Sequence, residues 1–457
     1  MKEFTSLAVD RPEDLVFGTA PHPVTTRRGL VIGGGTVYPE LNFTLPTMEV
    51  TSATLDRIVR MYRSIVDGAC RRAVELGLDG LVVEFETLIE MTLDPSMAIR
   101  VTGVINEVLE KYYASDNLKT ALRITPNDTR DKTRPPHMRS GELLEGMWET
   151  FRGCLAEGAE MPSIESTGGK EIHDDALVAC DIEQVIFALS IMGARDMAFL
   201  WDRIVEIGAA ANTPAAADTA CGFGNTAMVL AEKRMIPRVF AAVVRAATAP
   251  RSLVAFERGA VGPGKDCAYE NMYLKALTGY PMSMEGKSAV CAHSSPLGNI
   301  ASAACDLWSN ESVQNVRLLG GMTPTISLEQ LAYDCRLMNE ASARGDALRL
   351  RDLLSAPDAR LDPQALILTA ESAVEIARAM VAEQGPYRRT RAAVRTALDM
   401  IEKARTGGRL SVAEMEVPWI DRLRDTVEGL PDTEDAFIER VLPLIPKSKF
   451  RAEDYGL

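Results

Sequence analysis

Apolar positions along this chain follow two rhythms that alternate. Over residues 52–76, Leu55, Ile58, Val59, Tyr62, Ile65, Val66, Ala69 and Ala73 recur at intervals of three and four, which predicts an amphipathic helix. Thr51 or Ser52 can cap its start, and Gly77 can end it in the left-handed region. The next run, Gly80-Leu81-Val82-Val83-Glu84-Phe85-Glu86-Thr87, is apolar until it closes on polar residues. That shape reads as a buried parallel strand opening on a site. It recurs at 121–125, 162–165, 215–219 and 252–257, and in weaker form at 197–199, 282–285 and 316–320. Helical patterns fill the intervals near 98–113, 140–157, 176–192, 224–248 and 326–343.

Strands and helices alternating in this way predict a (β/α)8 barrel over residues 51–350, with a doubly wound open sheet as the alternative. The barrel is favoured because polar or charged residues close nearly every strand, which is where barrel sites are built. Residues 1–50 read as an irregular N-terminal extension. Gly33-Gly34-Gly35 lacks the Lys-Ser/Thr ending and following helix of a phosphate loop, and is expected to be a tight turn. Beyond 350 the strand signal stops. Helical patterns at 365–383, 387–405, 411–428 and 433–444 predict a C-terminal helical annex over 351–457. It would pack on the outside of the barrel, offer a surface to a second subunit, or do both.

A net charge of -14 argues against nucleic acid as a partner, because phosphate backbones are bound by basic faces. The N-terminus has no apolar core of signal-peptide length, and no uncharged apolar run long enough to span a bilayer is present, so a cytoplasmic protein without membrane spans is expected. In that compartment the eight cysteines are mostly reduced. Cys70 lies on a helical apolar stripe, and Cys154, Cys180, Cys305 and Cys335 also sit in helical runs, so packing explains all five. His137 and His173 are expected to be solvated in polar loops, and His22 lies beside prolines.

Candidate chemistry gathers at predicted strand ends. Glu165 follows Ser163-Ile164, Cys221 follows Asp218-Thr219-Ala220, and Cys267 closes Gly262-Pro263-Gly264-Lys265-Asp266. Two thiolates and a carboxylate can hold zinc and leave its fourth position open. Their spacing does not single them out, and Cys291-Ala292-His293 ranks as an equal ligand pair on residue type. Asp218 and Asn225 flank Cys221, and Asp266 precedes Cys267. Each can orient a buried ligand through a hydrogen bond, or serve as a turn or cap residue.

Longer words in the chain carry a resemblance. Ala249-Pro250-Arg251-Ser252-Leu253-Val254-Ala255-Phe256-Glu257, Gly259 to Cys267, Tyr269-Glu270-Asn271, Ser163 to Lys170, Met284-Glu285-Gly286-Lys287, Cys291-Ala292-His293-Ser294, Trp308-Ser309-Asn310-Glu311-Ser312 and Tyr455-Gly456-Leu457 resemble the zinc subunit of methanol:corrinoid methyltransferases. The resemblance runs from about Leu15 to the end of the chain. It implies zinc bound by Glu165, Cys221 and Cys267, with Cys291 and His293 in the site wall. It also implies that zinc binds the methanol oxygen while the Co(I) of a corrinoid attacks the methyl carbon. No Asp-x-His-x-x-Gly word is present, so the corrinoid is expected on a partner protein, with the chain in a homodimer or a hetero-oligomer with that subunit. The leaving oxygen needs a proton. Glu84 and Glu86, an acidic pair shared with the family, are the candidate acids, and strand alternation is expected to turn only one of them inward. Either can instead pair with Arg123 or a helix lysine. Two other readings remain at this point: the same fold and zinc acting on a methylated thiol, amine or methoxy compound, and a non-catalytic scaffold for a corrinoid protein.

Overall fold

The computed structural model describes residues 2–45, 48–218, 220–265, 269–286, 297–313, 317–319 and 321–457. Cys267, Asp266, Cys291 and His293 lie outside these described residues. Five parallel strands form the main sheet: β3 (Tyr38–Thr44), β4 (Gly80–Glu86), β5 (Lys119–Thr125), β8 (Ser283–Glu285) and β9 (Leu307–Val313), in the order β5-β4-β3-β9-β8. A parallel pair, β6 (Ser163–Ile164) and β7 (Ala217–Asp218), forms a second small sheet. An antiparallel hairpin, β1 (Thr19–Thr25) with β2 (Val31–Gly34), precedes them.

Short links join the two parallel sheets. Parallel bridges connect Arg123 with Glu160 and Gly264 with Met282. The Ala216 amide extends the β6–β7 pair by donating to the Pro162 carbonyl at 3.0 Å, the Val261 amide donates to Ala215 at 2.9 Å, and the Ser283 amide to Gly264 at 2.7 Å. Helices connect the strands, among them Leu55–Glu75, Pro95–Asp116, Glu142–Ala156, Ala194–Ala210, Arg238–Glu257 and Thr323–Arg344.

The first of these helices buries the predicted apolar stripe, Leu55 to Ala73, and ends beside Gly77 at φ +66°. Its N-terminal boundary is Thr54 instead of Thr51 or Ser52. Four strand expectations, at 80–87, 121–125, 162–165 and 282–285, fall on β4, β5, β6 and β8, and 215–219 falls on β7.

Three other expectations fail for physical reasons. The run 252–257 lies in helix Arg238–Glu257, whose residues from Val239 onward are all buried. A helix covered on every side loses its polar face and therefore its 3.6-residue period. Residues 197–199 belong to helix Ala194–Ala210. The stretch 1–50 is not irregular, because it supplies β3 at the centre of the main sheet. Glu40 and Asn42 of β3 are buried, and those polar residues hide the strand from a reading based on hydrophobicity. Glu40 is accommodated by Arg123, whose Nε donates at 2.5 Å to Oε1. Near 316–320 the described residues Arg317–Leu318 pair antiparallel with Gly321–Met322, apart from the main sheet.

Helices Ala370–Val381, Gly385–Thr406, Val417–Glu428 and Glu434–Val441 make up much of the C-terminal part of the chain. This part covers the outer side of helix Arg238–Glu257: Arg389 pairs with Glu257 at 2.5 Å, and Arg245 donates to Gln364 at 3.1 Å. Helices Ile182–Ala210 and Arg238–Glu257 are long and apolar enough to cross a membrane, but both are largely or wholly buried inside the fold.

Candidate active site at the strand ends

The carboxyl ends of the parallel strands carry a charged cluster around Lys265. This lysine follows Gly262-Pro263-Gly264, a segment that runs hard against its neighbours. A Cβ on Gly264 would lie 3.0 Å from Met282 Sδ, and one on Gly262 would lie 2.7 Å from the Pro281 carbonyl. The glycines are therefore needed for close backbone approach. Lys265 is buried, and its Nζ lies 2.9 Å from Glu84 Oε1, 3.1 Å from Glu86 Oε2 and 3.3 Å from Glu165 Oε1. Burial alone would lower the lysine pKa. Glu84, Glu86, Glu165 and Glu285 outweigh it and hold the ammonium well above its ordinary value.

Both glutamates of β4 thus face the same cation. The expectation that only one turns inward is corrected: residues 84 and 86 are two apart, and positions i and i+2 share a face of a strand. The intervening Phe85 points to the core, where its ring meets Tyr62 at 5.2 Å. Glu84 is fully enclosed and accepts from Thr125 Oγ1 at 2.7 Å. Burial pushes its carboxyl up, but Lys265, Arg123 and Thr125 overcome that and leave it below the ordinary value. Glu86 is more open and also receives Asn42 Nδ2 at 3.5 Å.

Glu165, just past β6, keeps a third of its side chain accessible. It lines a cavity of about 180 Å³ together with Glu86, Thr125, Asn127, Asp128 and Gly222. The surrounding protein and the neighbouring Glu86 and Glu84 push its carboxyl up to about 7, against the pull of Lys265.

The loop that carries Glu165 is held from below by an ion-pair chain that the sequence did not announce. Thr167 donates to Asp128 Oδ2 from its amide at 2.9 Å and its hydroxyl at 3.0 Å. Asp128 accepts from Arg130 Nε at 2.9 Å and Nη2 at 2.7 Å. Arg130 also grips Asp196 in bidentate fashion at 2.7 and 2.8 Å. All three side chains are buried. A Cβ on Gly168 would come within 2.4 Å of the Asp196 carboxylate, and the Gly169 amide donates to the Tyr455 hydroxyl at 3.2 Å.

Cys221 begins a π-helical turn, Cys221–Asn225, beside β7. Gly222 borders the same cavity as Glu165. The preceding Ala220 amide donates to the buried Glu270 Oε1 at 2.7 Å, which also receives Ser252 Oγ at 3.1 Å. Asn225 Nδ2 lies 3.8 Å from Cys221 Sγ. Asp218 ends β7 and is buried, 3.5 Å from both the Ser166 amide and Arg251 Nη1. Burial raises its carboxyl to about 6, with Arg251 and Ser166 opposing. Arg251, from helix Arg238–Glu257, also donates to the Ser166 carbonyl at 3.1 Å and hydroxyl at 2.5 Å.

His173 corrects another expectation. It is buried in helix Lys170–Ala179, edge-on to Phe223 with ring centres 4.9 Å apart, and burial lowers its pKa. An amphipathic helix begins where a polar loop had been expected. Cys70, Cys154, Cys305 and Cys335 are buried and free, in keeping with packing roles.

Lys265, Asp128, Arg130, Asp196, Arg251, Glu270 and Tyr455 were not singled out as site residues from sequence. Lys265, Arg251, Glu270 and Tyr455 lie inside the quoted family words, so a signal was available for them. The Asp128–Arg130–Asp196 chain joins the loop after β5 to helix Ala194–Ala210, and a pairing over that sequence distance has no local signature.

A relative from Methanosarcina barkeri, a methanol–corrinoid protein co-methyltransferase, is 35% identical over 461 residues, covering 100% of this chain and 99% of its own length. A crystal structure of the methanol:cobalamin methyltransferase complex from the same organism superimposes with a TM-score of 0.96 at 35% identity, covering 100% of both chains. The family model of the methanol-cobalamin methyltransferase B subunit matches residues 1–456, and the chain belongs to that family.

Proposed function

We propose that this protein transfers the methyl group of methanol to the Co(I) corrinoid of a separate corrinoid protein. The observation that carries the reading is the acidic cluster around Lys265 at the strand ends, beside Cys221, in a chain of this family. The solved relative is a complex of this kind of subunit, which supports a hetero-oligomer with the corrinoid protein. A reducing, cytoplasmic setting would keep the cysteines as thiols.

We further propose that the strands close into a (β/α)8 barrel. Its ring would run β3, β4, β5, β6, β7, the 261–264 segment, β8 and β9. The Arg123–Glu160 and Gly264–Met282 bridges and the Val261 and Ala216 hydrogen bonds support this closure.

The donor set fits zinc. Among the described residues no three His, Cys, Asp or Glu side chains cluster as ligands, and Cys267 lies outside them. Glu165 and the Cys221 turn nevertheless border one cavity, and Asn225 Nδ2 lies 3.8 Å from the Cys221 sulfur. Two sulfurs and a carboxylate suit a borderline-soft cation. Glu165, Cys221 and Cys267 would hold it, with Asn225 and Asp218 orienting the ligands. When bound, zinc supplies Lewis acidity toward the methanol oxygen.

The chain's own residues handle the proton. The methyl carbon forms a bond to cobalt as its C–O bond breaks, cobalt passes from Co(I) to methyl-Co(III), and the electron pair leaves on oxygen. Methanol, Co(I) and one proton give methyl-Co(III) and water. Glu86 borders the cavity and is the group proposed to deliver that proton. Glu84, enclosed and held charged by Lys265 and Thr125, is an anchor. The Asp128–Arg130–Asp196 chain keeps the Glu165 loop rigid, which lowers the cost of positioning in the reaction.

The reading is tested by supplying methanol, a methyl thioether and a methylamine in turn to the purified protein with a reduced corrinoid acceptor. Methyl-cobalt formation is followed by visible absorption. Methanol should be the donor of choice, and turnover confined to another donor would reassign the substrate.

A further inference from the structure

We propose that Lys265 is a positioning residue that holds Glu165 to a single metal-bonding oxygen and so keeps one coordination position open for substrate. This rests on the reading of Glu165 as a zinc ligand. An ammonium has three N–H donors, and three carboxylate oxygens surround this one: Glu84 Oε1, Glu86 Oε2 and Glu165 Oε1, at 2.9, 3.1 and 3.3 Å.

The ammonium is fixed from both ends. On its backbone side, Gly264 exchanges hydrogen bonds with Pro281 and Ser283, and its carbonyl also accepts from Asn271 Nδ2 at 3.1 Å. On its acceptor side, Glu84 is pinned by Thr125 Oγ1 at 2.7 Å. Its pairing with Glu84 and Glu86 thus anchors the Lys265 ammonium at the place where Glu165 meets it.

A divalent ion and an ammonium repel each other strongly at contact range in a poorly solvated site. Lys265 at Oε1 therefore directs a metal to the other oxygen of Glu165. A catalytic zinc site needs three protein bonds and a vacant fourth position. If Lys265 were absent, Oε1 would be released, the carboxylate could chelate through both oxygens, and the substrate position would be filled by the protein. Hydrogen bonds from such neighbours commonly set ligand geometry and affinity.

The experiment uses the full chain, reduced and reloaded with Co(II) in place of zinc. The wild-type protein should show thiolate-to-cobalt charge-transfer bands and the strong d–d absorption of a four-coordinate ion. Lys265→Met should keep the charge-transfer bands, lose d–d intensity several-fold as coordination rises, and raise the KM for methanol by more than it lowers kcat. Loss of a merely structural residue would not move the d–d bands of the folded fraction. Removing the lysine leaves Glu84 buried without its cation, so the double variant Lys265→Met with Glu84→Gln is measured in parallel and replaces the single variant if far-UV dichroism shows the latter unfolded. An unchanged d–d spectrum in the folded variant would overturn the role given to Lys265 while leaving the metal reading intact. Absence of thiolate charge-transfer bands in the wild type would overturn the metal reading itself, and this inference with it.

Discussion

Replacing Arg130 with methionine should destabilise the protein by an amount that depends on pH in a defined direction. Arg130 is wholly buried between Asp128 and Asp196 and makes four charge-assisted hydrogen bonds to them, at 2.9, 2.7, 2.7 and 2.8 Å, and a fifth to the Met138 carbonyl at 2.9 Å. Breaking a buried ion pair by removing one partner costs about 3–5 kcal/mol, because a charge is left behind without compensation. Here two carboxylates are left, so the upper part of that range is expected at pH 7. Burial pushes the Asp128 carboxyl up, but Arg130 and the Thr167 amide pull it below its ordinary value. A carboxyl with a depressed folded pKa contributes stability above its unfolded pKa and loses it as pH falls through the folded value. The wild-type contribution is therefore constant from pH 7 down to about 4, but in the variant burial acts on the Asp128 carboxyl without Arg130 and raises it, so the folded variant takes up a proton first and its deficit should shrink as pH is lowered from 7 toward the unfolded carboxylate range near 4. Urea unfolding followed by far-UV dichroism at pH 7 and pH 5 measures the deficit at both. A loss below about 1 kcal/mol at pH 7, typical of an exposed pair, would refute the reasoning, as would a deficit that grows on acidification.

Three further outcomes follow from the same geometry. Gly168→Ala forces a methyl group into the Asp196 carboxylate and should cost about 1–3 kcal/mol in unfolding free energy, with methyl transfer reduced because the Glu165 loop shifts. Asp218 has a folded pKa raised to about 6 by burial, so its contribution is full below its unfolded pKa and is lost as pH rises through the folded value; Asp218→Asn should remove that decline between about pH 4 and pH 6 in a pH series of denaturation midpoints. Glu86→Gln should lower kcat for methyl transfer by on the order of 10²-fold with the fold retained, whereas a rate within threefold of wild type would show that the proton comes from another group.

How much could be read beforehand differs from element to element. Helix Leu55–Glu75 was legible because one face is buried and the other solvated. Helix Arg238–Glu257 was not, since the C-terminal part of the chain covers its outer side and leaves no polar stripe to mark the period. Strand β3 was hidden by Glu40 and Asn42, polar residues that the interior accepts only because partners such as Arg123 come from other strands. The site shows the same division. Glu84, Glu86 and Glu165 stand at strand ends and could be picked out on that ground, aided by the resemblance. Lys265, where the three converge, lies inside one of the family words, but its role was not legible, because a lone lysine after Gly-Pro-Gly reads as a solvated turn until the neighbouring strand ends are placed around it.

The most direct measurement of the central claim is transfer of isotopically labelled methyl from methanol to a Co(I) corrinoid by the zinc-loaded protein, with metal content determined on the same samples. The account predicts one zinc per wild-type chain and labelled methyl-cobalt formed as methanol is consumed, with both lost in a folded Cys221→Ala variant. Full zinc occupancy and undiminished methyl transfer in that variant, or no transfer from methanol by the fully loaded wild type, would contradict it.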